Sequence, residues 1–377
     1  MLEAIDPAWT LAVVGLLIGG LFGAVAHRSH FCTMGAVSDL VLFGSRRRLR
    51  VWALTITAAL VGTQALALAG LAPLGTSPHL APRLFWLGAI LGGLLFGFGM
   101  VLAGGCASRA LVRLGGGSLK ALVVLLVTGV SAFMVASGPL AWLTDGLAAI
   151  GSVPLALPTG GLDAALASFF GMAPATATVL AAALVLAPLF ALVADRRFLA
   201  GRAEIATGLA LGALVALGWL ATATLADPLG PPVAAVTSLT FVGPTGGSIL
   251  WLMVGSGEVP GFGIATILGT VLGAALASAA SGGPRLETFA SRDDMLRHLA
   301  GGALMGVGGS LAGGCSIGQG VTGVSALSIQ ALIALAAILL GGGWGVKYLE
   351  TGRLLPQLGR GTTATSGEAG VATGSAG

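Results

Sequence analysis

Apolar stretches of about twenty residues recur along nearly the whole chain, and no other property of the sequence restricts its folding so severely. A helix needs ~20 residues to cross a ~30 Å hydrocarbon layer, and hydropathy with helix breakers places nine such spans. They fall near residues 9–27, 50–70, 84–104, 118–137, 174–194, 203–225, 260–281, 296–313 and 328–347. Only 8% of the residues are charged, against ~25% in soluble domains, so a water-exposed surface cannot be built and the bilayer must serve as solvent. Four apolar, Gly-rich stretches, 32–44, 105–117, 240–253 and 315–327, are too short to cross and read as short or re-entrant helices. The expected fold is an all-α integral membrane protein of about nine transmembrane helices plus these re-entrant segments.

The basic residues orient it, because cytoplasmic loops near span ends retain Lys and Arg. Arg28, Arg46, Arg47, Arg48 and Arg50 lie between spans one and two, and Arg109, Arg113 and Lys120 between three and four. Further clusters follow spans five, seven and nine, and only Arg83 falls on the other side. That puts the N-terminus outside and the C-terminus in the cytoplasm, as in a bacterial-type inner membrane. Met1–Thr10 carries Glu3 and Asp6 but no basic residue, so it lacks the positive region of a signal peptide and the first span is expected to persist. Residues 1–350 form one membrane domain and 351–377, rich in Gly, Thr, Ser and Ala, a disordered cytoplasmic tail. The net charge of +4 is spread between apolar segments, without aromatic interleaving, which excludes nucleic-acid binding.

An internal repeat organises the domain. Segment 92–106, GGLLFGFGMVLAGGC, matches 301–315, GGALMGVGGSLAGGC, at ten of fifteen positions without gaps. Six of those identities are glycines, but the coincidence of Cys106 with Cys315, each after Leu-Ala-Gly-Gly, is more than composition. The same offset of 209 lays 30–43 over 239–252. An odd number of crossings separates corresponding spans, so the halves are inverted: 1–137 the first repeat, 138–202 a connector with one span, 203–350 the second. In such folds substrates bind near the midplane, where broken helices of both halves meet and their N-terminal dipoles favour anions.

Three cysteines, odd in number and far apart, suggest neither a disulfide framework nor a zinc module. Cys106 and Cys315 are repeat-related, whereas Cys32 has its counterpart at Phe241, which has no thiol. A buried cysteine is often only a small hydrophobe, but repeat-related thiols beside helix breaks point to a shared site. An ordinary thiol titrates near ~8.5, so these are neutral unless a cation intervenes, and neutral S–H groups are weak donors and soft acceptors suited to passing a polarizable sulfur species along. Secondary candidates are His30, Arg109 and Gln319, although Arg109 reads first as a topology charge and His30 and Asp39 as interfacial residues. Gln319 has the better claim, since a buried amide needs a partner. A thiol enzyme that forms a persulfide, and a soft-metal transporter using Met34 and Met100, remain alternatives; no cofactor is indicated.

At these residues the chain resembles the YeeE/YedE membrane family. The resemblance covers about residues 1–350 and is carried by His30-Phe31-Cys32-Thr33-Met34-Gly35, Ala103-Gly104-Gly105-Cys106, Leu239-Thr240-Phe241-Val242-Gly243-Pro244, and the stretch from Arg297 to Gly313-Gly314-Cys315-Ser316-Ile317-Gly318-Gln319-Gly320. It implies a transporter of thiosulfate or a closely related anion, selenium species included, rather than an enzyme. It further implies a relay of S–H···S hydrogen bonds through Cys32, Cys106 and Cys315, and a cytoplasmic TusA-like sulfur carrier as partner.

Overall fold

The computed structural model describes residues 7–225, 236–255, 257 and 259–352; the expected tail from 353 onward lies outside them. The chain is helical almost throughout. The first half comprises α1 (Pro7–Ser29), α2 (Thr33–Phe43), α3 (Arg47–Leu68), α4 (Trp86–Leu102), α5 (Ala107–Gly115) and α6 (Leu119–Ala136). A connector follows with α7 (Ala141–Gly151), α8 (Leu162–Phe170), α9 (Pro174–Val193) and the single turn α10 (Arg196–Leu199). The second half comprises α11 (Arg202–Leu225), α12 (Val242–Val254), α13 (Phe262–Ala280), α14 (Arg292–Ala312) and α15 (Ile329–Thr351), with a π-helical segment Gly318–Gly323 between the last two.

The four expected short helices are present as α2, α5, α12 and the π-helical segment. Among the described residues, eight helices are long and apolar enough to cross a membrane by length and composition, one fewer than the nine expected. The ninth, α14, has 21 residues but begins Arg-Asp-Asp and carries Arg297 and His298, so its polar first turns and its glycines dilute its hydropathy. It nevertheless packs between α4 and α6 in the centre of the bundle. Not expected from the sequence are α7 and α8 within 138–173 and the two-residue antiparallel strands Arg83–Leu84 and Val153–Pro154.

Packing follows the repeat. The contact of α1 with α13 has its counterpart in α11 with α3, that of α4 with α15 in α14 with α6, and that of α2 with α15 in α12 with α6. The central pair α4 and α14 maps onto itself. There an added Cβ on Gly92 would stand 2.6 Å from the Gly308 carbonyl oxygen, and one on Gly301 2.7 Å from that of Gly99. Both are nearer than a Cβ can come, and the offset of 209 exchanges the two contacts. In lipid, where apolar burial alone does not drive helices together, such close backbone approach by small residues supplies the packing.

Helix direction alternates, so the Arg-rich connections all reach one face of the bundle. Ion pairs of Arg47 with Glu204, Arg50 with Asp195, Arg113 with Glu287 and Lys120 with Asp294 tie segments of that face together. Residues 70–85 and 138–173 occupy the opposite face.

Candidate functional site: three thiols at converging helix ends

Each Gly-Gly-Cys stops a long helix and starts a short one. Gly104 and Gly105 take φ of 70° and 155°, and Gly313 and Gly314 take 76° and 157°, a left-handed turn repeated almost to the degree that only glycine adopts cheaply. The turn places Cys106 immediately before α5 and Cys315 just before the π-helical segment. Cys32 precedes α2 and Phe241 precedes α12. Four short helices therefore begin at the four equivalent positions, with their unpaired N–H groups and positive dipole ends around one region.

The sulfurs act as helix caps. Gly35 N–H donates to Cys32 Sγ at 3.4 Å and Gly318 N–H to Cys315 Sγ at 3.3 Å, in both cases from the third residue on. Cys106 has no such cap and instead lies 3.2 Å from Ser108 Oγ. Cys106 is within electrostatic reach of both other thiols, and the Phe241 backbone lies against Cys315. The succession is thus Cys32, Cys106, Cys315, Phe241. A hydrogen bond from Thr33 Oγ1 to Ser316 Oγ, 3.2 Å and fully buried, joins the first turn after Cys32 to that after Cys315.

The two ends of this succession differ. Cys32 is half-buried and lines a cavity of about 250 Å³ that opens on the Arg-rich face, with Arg28, His30, Arg48 and Glu204 in its wall. Cys106, Cys315 and Phe241 are each 1% exposed or less. Among the described residues the site is thus open at the Cys32 end and buried at the other.

The secondary candidates separate. His30, in a left-handed conformation with φ 52°, is exposed in the cavity wall. Arg109, half-buried, reaches electrostatically toward Cys32 and His27, and no carboxylate pairs with it among the described residues. Gln319 is buried; its Nε2 donates to the Ala312 carbonyl at 2.9 Å, while its Oε1 lacks a hydrogen-bond partner. His79, on the opposite face, approaches that oxygen and lies edge-on to Trp219. Met34 accepts a contact from Ser38 beside the site, whereas Met100 packs against Gly342. The sequence marks Arg28 and Arg48 only as topology charges and assigns Thr33, Ser108 and Ser316 no role of their own. A hydroxyl residue directly after both Cys32 and Cys315 was the available signal.

The family described as Sulphur transport matches residues 28–344, which contain all three cysteines. The chain belongs to this family, the YeeE/YedE proteins. It is also 27% identical over 358 residues to the thiosulfate transporter TsuA of Escherichia coli (strain K12), covering 90% of this chain and 95% of that protein. To the thiosulfate transporter TsuA of Spirochaeta thermophila it is 29% identical over 350 residues, covering 90% and 98%. The relatives are transporters, and this member of the Sulphur transport family is a multi-pass membrane protein of the same length class.

Proposed function

We propose that this protein carries thiosulfate, or a closely related sulfur anion, across the cytoplasmic membrane into the cell. The observation that carries the reading is the convergence of three thiols on the N-terminal ends of short helices from both halves. Helix N-termini favour an anion through their free N–H groups and dipoles, and thiols offer a polarizable sulfur several weak contacts from which it can also depart. Cys315, Cys106 and Cys32 are then successive stations, each holding the anion by S–H···S hydrogen bonds. The Arg-rich face is cytoplasmic by the positive-inside rule, with the N-terminus outside and the C-terminus inside, so the cavity around Cys32 is the exit. Arg28, Arg48 and Arg109 draw the anion toward it. A TusA-like carrier would collect sulfur at this mouth.

Cells that depend on this protein for sulfur should grow on thiosulfate as sole source, and Cys106→Ser and Cys315→Ser should each abolish growth. Labelled-thiosulfate uptake that is unchanged in both variants would sink the relay. Competition by selenium species and by sulfate separates thiosulfate from its nearest rivals.

A further inference from the structure

Phe241 stands where symmetry would place a fourth thiol. The offset that superposes Cys106 on Cys315 carries Cys32 onto Phe241, and both residues precede a short helix of the same kind. The environments have nevertheless diverged. Cys32 borders an open cavity, whereas Phe241 is completely buried and its ring packs on Phe22 of α1 with centroids 5.1 Å apart and planes inclined by 39°. Leu239, two residues earlier, is also fully buried, and its carbonyl accepts a hydrogen bond from Thr322 Oγ1 in the π-helical segment. An added Cβ on Gly318 would collide with the Thr240 side chain. The Leu239–Phe241 segment is thus packed directly against the π-helical segment that follows Cys315.

We infer that Phe241, braced by Phe22, is the seal of the pathway on the Cys315 side, and that it sets selectivity by refusing hydrated anions. The inference rests on the transport reading above. A phenyl ring offers no hydrogen bond to an anion, and an apolar constriction closes a pathway by excluding water. A species that enters must displace the ring and exchange its water for the Cys315 thiol and the surrounding helix N-termini. A soft terminal sulfur makes that exchange well and a sulfate oxygen poorly, so the seal and the first thiol together discriminate. A fourth cysteine would leave the path thiol-lined from end to end, with no barrier.

The test uses the full chain in proteoliposomes, with Cys315 as the only cysteine and a membrane-impermeant thiosulfonate reagent applied from the face opposite the arginines. Phe241→Ala should raise the rate of Cys315 modification at least tenfold, and Phe22→Ala, which removes only the brace, should raise it less. In the three-cysteine protein Phe241→Ala should admit labelled sulfate faster than the parent does. Phe241→Leu, a smaller change, guards against loss of folding and should give an intermediate modification rate. Modification at the parental rate in all three variants would overturn the seal. The modification assay needs no transport, so uptake that survives Cys106→Ser and Cys315→Ser would remove the relay while leaving the seal standing.

Discussion

Thr33→Val removes the donor of the one hydroxyl pair that links the Cys32 and Cys315 helix starts while keeping the shape of the side chain. Both residues are buried, so Ser316 Oγ loses a hydrogen-bond partner away from bulk solvent. Leaving one buried polar group unsatisfied costs about 1–3 kcal/mol, whereas replacing both partners by apolar groups of similar shape is near neutral. Ser316→Ala should cost a similar amount by orphaning Thr33. The double variant should recover most of the loss, because the equivalent positions in the other pair of short helices, Val242 and Ala107, are already apolar and buried. A double-mutant cycle on thermal unfolding in detergent measures this, and coupling energies between residues in contact reach about 0.5–3 kcal/mol. At roughly 2–4 °C per kcal/mol for chains of 150–250 residues, each single variant should melt a few degrees lower and the double variant close to the parent. Additive losses would show that the 3.2 Å contact does not hold the two helix starts together.

Impermeant maleimide applied from the cytoplasmic side should label Cys32 much faster than Cys106 or Cys315, and labelling of Cys32 from the external side instead would reverse the proposed orientation. Acidification should lower the melting temperature as pH falls from about 6.5 toward about 4. Burial, only partly opposed by Gln319, lowers the His79 pKa to about 4, so in that window the unfolded chain binds the extra proton and stability is lost. His79→Gln should flatten the profile, and an unchanged slope would refute the assignment. Gly92→Ala and Gly301→Ala, exchanged by the repeat, should each cost about 1–3 kcal/mol by overpacking; a large effect in one and none in the other would contradict the matched contacts at α4 and α14. Arg113→Gln should destabilise the protein by freeing Glu287. Partial burial opposes the charge of that carboxylate, but the hydrogen bonds from Arg113 and Ser118 outweigh it and hold its pKa below the usual range, and the difference from parent should vanish in acid as Glu287 protonates.

The spans were legible because lipid imposes one simple demand, about twenty apolar residues in a helix, and the long helices α1, α3, α6, α9, α11, α13 and α15 meet it. The helix breaks were legible too, since Gly-Gly stands directly before both Cys106 and Cys315. What could not be read was α7 and α8: at 11 and 9 residues they are apolar but too short to cross, so the demand that marks the spans does not single them out. The hydroxyl pair Thr33 and Ser316 was hidden for a related reason. Each is an unremarkable small residue alone, and only the meeting of segments 283 positions apart gives it a role. His79 lay beyond inference likewise, because its proximity to Gln319 arises from connections between elements remote in sequence.

The second repeat also explains its own irregularity. Twelve positions separate Cys106 from Ser118, but thirteen separate Cys315 from Ser328, and both serines lie just before a long helix and bond a connection on their own face, Ser118 to Glu287 and Ser328 to the His79 carbonyl. With both ends fixed by symmetry, one extra residue must be stored between them. A π-turn stores one residue without breaking the helix, and the bond from Thr322 N–H to the Ile317 carbonyl at 2.9 Å, five residues back, does so. Gln319 sits on that widened turn, with its Nε2 donating to the Ala312 carbonyl and its Oε1 facing His79. Deleting one residue from 318–323 should therefore restore a helix like α5 while preserving the bundle, and it should rotate Gln319 away from the thiols. If the insertion exists to place that amide, uptake falls although the melting temperature holds; if it is a neutral remnant of the duplication, both stay at the parental level.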